Sequence, residues 1–433
     1  MMFQKNQNKF LYLKNIFQKN ENILITAIIL LSFVVKLLFY KFLSQPSFYD
    51  VQTYTDTVMF FLNGEPISDQ IMPLYPIIVY FVQMHIGIEI FNILISCLTV
   101  YVVFELSKLI YKDIFFRFLV ALVISFYPFN IFYSITGFSE VIYVFLLTLM
   151  LLSFYKNKIF IATIIGTLAI LIKPIHFYPL FILIFYFDFF YFKKKLKKSF
   201  SNLIIGLIIF VSIMSPWWIY NYTQYDKFIM FNLVGPHTLF IGNNPLNETG
   251  GGVMIDEFDI KNHPKRFFKI QKDFSYDLLN GYPGFYFDKE RNKVEFISGN
   301  KAALDRYNSY LQYSVNYILN NPIRFIELSY KKFIRFWRLW PYSQEYNQSK
   351  YFYISLLTFG PILCLFALYS LKFIRNFEKK TFPLILMIYY FNFIHMILIS
   401  SIRYRYPIEN YLIILGIYFL VCEFNKSLKE KSS

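Results

Sequence analysis

The chain has 433 residues, of which 56% are hydrophobic and 22% aromatic, and its mean hydropathy is +0.43. Because a soluble domain is usually no more than about half apolar, this composition argues against a soluble protein and indicates that the bilayer is the solvent. The net charge of +16 does not indicate a nucleic-acid partner, since the basic residues cluster in short gaps between apolar runs. The positive-inside rule predicts that pattern for cytoplasmic loops facing membrane lipid.

The N-terminal segment predicts a basic cytoplasmic tail over residues 1–22, followed by one membrane span. Lys5, Lys9 and Lys19 place the tail in the cytoplasm. The apolar run from Ile23 to Leu43 is close to the roughly 20 residues that cross a bilayer. We find no small-residue cleavage site after it, so we expect a retained helix rather than a signal peptide.

An external loop is predicted for residues 44–72. The apolar run that follows, Pro73 to Gln83, is too short for a span and contains Pro76, so we expect a partly embedded or surface helix. Further spans then alternate across the membrane and complete an N-terminal transmembrane module over 23–220. Their predicted limits are 88–106, 115–127, 139–155, 159–172, 175–192 and 200–220.

The charged and polar residues between these spans assign the sides of the membrane. The lysine-rich loop from Lys193 to Lys198 is predicted to be cytoplasmic. Pro128 to Phe138 and the dipeptide Lys173-Pro174 are predicted to be external turns. Residues 221–350 are too long and too polar for a turn, so we expect a small mixed extracytoplasmic domain.

The C-terminal part begins with an amphipathic segment and ends in more spans. Apolar and basic residues are mixed between Pro322 and Trp340, which is typical of an amphipathic helix lying in the membrane interface. A C-terminal module over 351–424 and a basic cytoplasmic tail over 425–433 follow. The module's predicted spans are 351–371, 382–400 and 407–424. The predicted fold class is therefore all-α polytopic transmembrane, with about ten spans of bilayer length.

Ionisable residues collect at the external boundary of this topology. They are Asp50, Asp56, Glu140, Lys173, His176, Arg403 and Arg405. Charged groups at membrane depth are costly unless they are paired or functional. Cations at such a place can hold a phosphate, and a carboxylate can take a proton from an incoming hydroxyl. The pattern therefore favours chemistry on an anionic, lipid-linked substrate.

The sequence gives little sign of a metal or disulfide site. Cys97, Cys364 and Cys422 all lie in apolar segments, and no residues have metal-ligand spacing. A divalent cation held by carboxylates is left open. His176 lies on an aromatic-rich span, where a satisfied core histidine is the commoner case.

A series of short motifs carries a family resemblance. In chain order they are Asp50 with Tyr54, Pro73-Leu74-Tyr75-Pro76, Tyr127-Pro128, Ser139-Glu140, Lys173-Pro174, Pro216-Trp217-Trp218, Gly242-Asn243-Asn244-Pro245 and Arg403-Tyr404-Arg405-Tyr406-Pro407. In this order the chain resembles membrane glycosyltransferases of the GT-C fold. More specifically, it is similar to bacterial relatives of dolichyl-phosphate-mannose protein mannosyltransferases and of lipid A aminoarabinose transferases.

This resemblance implies an enzyme that transfers a sugar, with inversion, from a polyprenyl-phosphate donor to an extracytoplasmic acceptor. It implies Asp50 as general base and Glu140 as a second catalytic acid. Lys173, Arg403 and Arg405 become candidates for the donor phosphate. The residues matched to substrate loops are Tyr54, Asp56, Asn243 and Asn244. The implied location is the bacterial inner membrane, with the active site on the external face.

Two departures from the family and several alternatives stay open. Asp50 is followed by Val51 rather than a second acid, which puts a protein acceptor in doubt, and Glu409 stands where relatives often have a second proline. The alternatives are a transporter or flippase of lipid-linked sugars, a polysaccharide polymerase or ligase, and a scaffold. Glu140 could instead cap its helix, Lys173 could snorkel, and the two arginines could anchor lipid headgroups.

Overall fold

The structure is a computed structural model that describes residues 16–43, 49–64, 67, 71–252, 285–288, 293–296, 300–340 and 349–430. It is helical apart from one short hairpin. In chain order the α-helices are α1 Glu21–Phe42, α2 Tyr49–Leu62, α3 Leu74–Gln83, α4 Ile88–Ile110, α5 Ile114–Phe126, α6 Pro128–Ser134, α7 Glu140–Tyr155, α8 Ile159–Ile170, α9 Phe177–Phe185, α10 Leu196–Tyr225, α11 Val234–Gly242, α12 Asn300–Asn320, α13 Pro322–Trp337, α14 Ser349–Arg375, α15 Phe382–Ile397 and α16 Ile402–Glu430.

Within the described residues, six helical stretches are long and apolar enough to cross a membrane, which confirms the all-α, multi-pass fold class. They are Glu21–Phe42, Ile88–Ile110, Pro174–Tyr191, Leu196–Tyr225, Ser349–Arg375 and Ile402–Ser427. The pair α5 and α6 adds a seventh if it counts as one span bent by 53°. Pro128 explains the bend, because it cannot continue the hydrogen-bond ladder of the preceding helix.

The remaining predicted spans, at 139–155, 159–172 and 382–400, correspond to the shorter apolar helices α7, α8 and α15. α8 stops at Ile170, three residues before Lys173-Pro174, where a proline disfavours helix in the residue before it. The chain then resumes as one 3₁₀ turn, Pro174–His176, before α9. This break brings Lys173 out of the helix and toward the site described below.

The centre of the bundle is apolar and tightly packed. α4 and the long C-terminal helix are buried over 61% of their apolar stretches, whereas α1 is buried over only 17% and lies at the periphery. Glycine permits one close approach, since a Cβ at Gly166 would meet the side chain of Leu180 at 2.6 Å. Aromatic rings fill much of the remaining space, as where Phe154 stacks on Phe187 with centroids 5.2 Å apart.

The bundle has two chemically different ends. At one end Tyr155 donates to the backbone carbonyl of Lys380, and Tyr186 donates to that of Lys379 at 2.7 Å. α7 spans 16 residues, beginning at Glu140 and ending at Tyr155 at this lysine-rich end. At about 1.5 Å per residue, Glu140 therefore lies on the order of 20 Å away, at the opposite end.

The structure adds a helix where the sequence predicted only an external loop over 44–72. α2 covers 14 residues of that segment and buries Tyr54 and Thr57 against the bundle. Only a few residues of α2 face the bundle, and they lie among polar residues. The sequence therefore shows only a weak helical periodicity of apolar residues over this segment. The short helix expected at Pro73 to Gln83 is present as α3, which buries Tyr75, Pro76 and Val79.

The described part of 221–350 contains α11, α12, α13 and an antiparallel hairpin of Phe285–Asp288 with Lys293–Phe296. A small mixed domain over this segment stays a prediction, because residues 253–284 lie outside the described part. The expected amphipathic helix is present as α13. It exposes Ile323 and Ile326 and buries Leu328, Lys332 and Phe336.

Candidate functional site

Glu140 begins α7 and is the centre of the candidate site. Acidic residues are favoured in the first turn of a helix because the helix dipole is positive there. The carboxylate is nearly buried, with 2% of the side chain exposed. Ser139, the residue before it, contacts the second carboxylate oxygen, since its Oγ lies 3.4 Å from Oε2. A buried carboxylate requires partners, and two cations supply them.

Lys173 provides the first cation from the break between α8 and the 3₁₀ turn. Its Nζ donates to Oε1 of Glu140 at 2.8 Å, and 19% of its side chain is exposed. Arg403 provides the second cation from the first turn of α16. Its Nε donates to the same Oε1, its guanidinium lies 4.1 Å from the centre of the Phe138 ring, and 23% of its side chain is exposed.

We call Glu140, Lys173 and Arg403 the Glu140 cluster. Both of its cations bond the same carboxylate oxygen, Oε1 of Glu140. The carboxylate is buried and both cations are partly exposed, so an approaching molecule meets positive charge. Arg and Lys hold phosphate oxygens through charge-assisted hydrogen bonds. The cluster can therefore hold a phosphate while Glu140 fixes the positions of both cations.

α2 is bound to the loop that precedes Glu140. The Tyr54 hydroxyl lies 2.8 Å from Oγ of Ser139, and Tyr75 of α3 donates to the carbonyl of Gly137 at 2.6 Å. A Cβ at Gly137 would lie 2.7 Å from Cγ1 of Val51, so the absence of a side chain there lets α2 approach the loop. These contacts hold the first turn of α2 beside the Glu140 cluster.

Asp50 belongs to that first turn. Its backbone is helical, while its side chain lies outside the described part of the structure. Residue 50 is one helical turn before Tyr54, and residues four apart lie on the same face of a helix. It is also adjacent to Val51, which packs on Gly137. Asp56, further along the same helix, is exposed.

The structure does not bring Arg405 together with the Glu140 cluster. Arg405 is fully buried and donates from Nε to Oε1 of Glu409 at 2.7 Å. Its Nη1 donates to the carbonyls of Phe336 and Arg338, at 2.9 Å and 2.7 Å, where α13 ends. These bonds satisfy carbonyls that a helix C-terminus leaves unpaired. Its predicted role in phosphate binding stays untested, and the contacts it makes are those of a clamp between α13 and α16.

Asn243 and Asn244, predicted for a substrate loop, are both buried and hydrogen-bonded to protein. Asn243 donates to the carbonyl of Ile397 at 2.9 Å and accepts from Nζ of Lys332 at 2.8 Å. Lys332 also donates to the carbonyl of Ile397 at 3.0 Å. Asn244 accepts from the backbone N–H of Leu246 at 2.9 Å. Asn243 thus ties its loop to the end of α15, before the turn that leads to Arg403, while Asn244 organises the loop itself.

Asn247 and His176 also have structural partners. Asn247 heads the sequence Asn247-Glu248-Thr249 but is buried, and its Nδ2 donates to the carbonyls of Gly242 and Gly251 at 2.9 Å and 2.6 Å. His176 lies with Nε2 2.9 Å from the carbonyl of Gly166 and Nδ1 2.8 Å from the Tyr143 hydroxyl. A carbonyl can only accept, so Nε2 donates and the neutral ring accepts from Tyr143.

Within the described residues, no group of three or more His, Cys, Asp or Glu side chains is arranged to hold a metal ion. The cysteines described there are free, with Cys97 buried and Cys364 exposed. Sequence reasoning missed the role of Lys332 in holding Asn243. A signal existed, since Lys332 falls on the buried face of α13 among Leu328 and Phe336.

Comparisons with known proteins identify no family. No protein-family model matches the chain, and no curated protein matches its sequence. Among solved structures it is similar to the archaeal oligosaccharyltransferase AglB from Archaeoglobus fulgidus, in complex with an inhibitory peptide and a dolichol-phosphate. The TM-score is 0.48 at 11% identity, and the match covers 96% of this chain and 52% of that one. The chain thus spans about half the length of that protein, and a TM-score below 0.5 does not establish a shared fold.

Proposed function

We propose that this chain is a membrane glycosyltransferase. It moves a sugar from a polyprenyl-phosphate donor to an acceptor hydroxyl at the extracytoplasmic face. The observation that carries the proposal is the Glu140 cluster: a buried carboxylate that holds two partly exposed cations, Lys173 and Arg403, at one end of an apolar bundle. The proposed side of the membrane follows from the lysine-rich loops at the other end.

A lipid-linked sugar phosphate matches this position. Its polyprenyl chain remains in the bilayer, and its phosphate lies at the boundary, where the two cations are. Lys173 contributes a compact charge and Arg403 a planar set of donors, which together hold a phosphate without a bound metal. Because both are tied to Glu140, they are positioned before the donor arrives, and preorganised charges stabilise charge that develops during reaction.

The proposed reaction balances without an external acid. The acceptor oxygen attacks the anomeric carbon, and the bond from that carbon to the phosphate oxygen breaks. The electron pair leaves with the lipid phosphate, whose new negative charge Lys173 and Arg403 stabilise. We assign the acceptor's proton to the carboxylate of Asp50. Attack from the face opposite the phosphate inverts the anomeric carbon.

Glu140 has a different task in this scheme. Its Oε1 accepts from both cations and its Oε2 faces Ser139, so it is engaged in holding the cations rather than taking a proton. This division assigns proton removal to one carboxylate and positioning to the other. It also accounts for the burial of Glu140, because a buried carboxylate is stable only when it is paired.

Mass spectrometry of glycolipids and glycoproteins from cells with and without this gene tests the proposal. We expect at least one glycosylated product to disappear on deletion and to return with the wild-type gene. Glu140→Gln should fail to restore it at matched expression. The control is Glu327→Gln on α13, which removes a carboxylate paired with Arg324 and Lys331 outside the cluster. Unchanged glycolipids and glycoproteins after deletion would contradict the proposal.

A further inference from the structure

Lys36 is a buried cation inside a membrane span, and the Glu140 cluster does not include it. Its side chain is fully buried, on the one face of α1 that also buries Ile25 and Ser32. Among the described residues no carboxylate pairs with it. Its Nζ instead donates to Oγ of Ser96 in α4 at 2.7 Å. A charge at membrane depth without an acidic partner is a functional candidate by default.

A chain of hydrogen bonds leads from Lys36 to α16. Ser96 donates from Oγ to Oδ1 of Asn130 at 3.1 Å. The Tyr406 hydroxyl donates to the same Oδ1 at 2.9 Å. Asn130 is itself fixed, because its Nδ2 donates to the carbonyl of Ile124 at 2.9 Å. Four helices, α1, α4, α6 and α16, therefore meet in one buried polar path.

The ammonium gives this path a direction. Lysine has three donors and no acceptor, so Ser96 must accept from Lys36 and its own hydroxyl proton is available for Asn130. Without the ammonium, a serine in a helix can turn its hydroxyl to a carbonyl of its own helix. Oδ1 of Asn130 would then accept from Tyr406 alone, and the amide that holds the Tyr406 hydroxyl would be less firmly fixed. In a low-dielectric interior such linked bonds reinforce one another.

Tyr406 lies one turn after Arg403, on the same side of α16. Its ring packs against Tyr133 with centroids 4.3 Å apart, and Tyr133 packs against Phe138 at 6.0 Å. The guanidinium of Arg403 lies over that same Phe138 ring. The path from Lys36 thus ends at the ring that supports one side of Arg403.

We propose that Lys36 is a positioning residue for Arg403. It acts through Ser96, Asn130 and Tyr406 to hold the first turn of α16, which carries Arg403, beside Glu140 and Lys173. The inference rests on the proposed function in so far as Arg403 holds the donor phosphate. Lys36 itself does not reach the donor, because its side chain is completely buried. Its charge acts on the geometry of a cation that does.

Lys36→Met keeps the length of the side chain and removes the ammonium. We expect the donor KM, measured with undecaprenyl-phosphate-linked sugar, to rise by about 3- to 10-fold, the value of one hydrogen bond of roughly 1 kcal/mol, with a smaller change in kcat. Tyr406→Phe should act alike. Because both break one path, the double variant should be no worse than the stronger single variant. The control is Ser32→Ala, which lies on the same buried face of α1 and bonds the carbonyl of Ser125 instead.

A second measurement does not depend on activity. Hydrogen exchange in lipid nanodiscs should show faster exchange of the amides of residues 402–406 in Lys36→Met, and wild-type exchange in Ser32→Ala. A wild-type donor KM with unchanged exchange, or effects of Lys36→Met and Tyr406→Phe that multiply, would overturn the inference. If the wild-type protein transfers no sugar, the proposed function fails. The exchange data then still decide whether Lys36 orders this turn, and unchanged exchange overturns the inference.

Discussion

Arg403 donates from Nε to the carboxylate of Glu140, which joins the first turn of α16 to the first turn of α7. The two residues lie far apart in the chain, and the bond links the C-terminal helix to the N-terminal transmembrane module. Since Glu140 is buried, loss of Arg403 leaves Lys173 to pair with the carboxylate. The ion pair is therefore expected to matter for the site and for the packing of two helices.

Arg403 and Arg405 should respond differently to substitution. Arg403→Ala should raise the donor KM and lower kcat, reducing kcat/KM by about 10- to 100-fold, because a hydrogen bond to a charged group is worth roughly 1.5–3 kcal/mol. Arg405→Ala should mainly lower thermal stability, since it leaves Glu409 buried without its cation. Donor kinetics and melting temperatures of both purified variants test this. A stable Arg405→Ala protein that has lost donor affinity would return Arg405 to the phosphate site.

Gly242 is predicted to tolerate no side chain. A Cβ there would lie 2.0 Å from the carbonyl oxygen of Leu398, in the turn between α15 and α16. Gly242→Ala must push that turn away, and overpacking of this kind typically costs about 1–3 kcal/mol. Gly235→Ala on the same helix is the control, because a Cβ at Gly235 meets nothing within 4 Å. Thermal unfolding of both proteins should show a lower melting temperature for Gly242→Ala alone, and equal values would contradict the packing described.

The buried lysine of α13 predicts a pH dependence of stability. Burial lowers the pKa of Lys332 from its ordinary value of 10.5 to about 7. Between those values the unfolded chain binds more protons than the folded one, so stability rises as pH rises through this window. The apparent melting temperature of the wild type should therefore increase from pH 7 to pH 9 more steeply than that of Lys332→Met. Parallel curves for the two proteins would show that Lys332 does not titrate in this range.

Membrane sidedness can be tested at sites that the structure shows to be exposed. Glu248 and Lys197 are both exposed and belong to opposite predicted faces. In a variant without Cys97, Cys364 and Cys422, an impermeant thiol reagent should label Glu248→Cys in intact cells. Lys197→Cys should be labelled only after permeabilisation. The reverse pattern would place the Glu140 cluster on the cytoplasmic face and remove the proposed acceptor side.

Three of the site residues could be selected from the sequence because their charges stand at the ends of apolar runs. Glu140, Lys173 and Arg403 each meet that condition, and the structure brings them together. Arg405 meets it too, yet residues two apart on a helix face different sides, so it could not share the partner of Arg403. The sequence prediction treated Arg403 and Arg405 alike because it began the last span at residue 407, after both arginines, whereas α16 begins at Ile402.

The span pattern could be predicted because the apolar run length follows the thickness of the bilayer. The contacts of Asn243 and Lys36 could not be predicted from the sequence. Asn243 binds Lys332, and Lys36 reaches Tyr406 through Ser96 and Asn130, in each case between segments far apart in sequence. Such contacts depend on how the helices pack, and a single sequence does not record this. The sequence does show that Lys36 lies in the external half of the predicted first span, where the positive-inside rule disfavours a cation.

The central claim is that Asp50 takes the proton of the acceptor at a phosphate held by the Glu140 cluster. Purified wild type, Asp50→Asn and Asp56→Asn proteins should be compared in nanodiscs with undecaprenyl-phosphate-linked sugars, recording transfer of radiolabelled sugar and binding of undecaprenyl phosphate. General-base help is typically worth about 10²–10⁴-fold, so Asp50→Asn should lose transfer by that order while binding persists. Asp56, which is exposed on α2, should be dispensable. Transfer by Asp50→Asn at the wild-type rate would contradict the account.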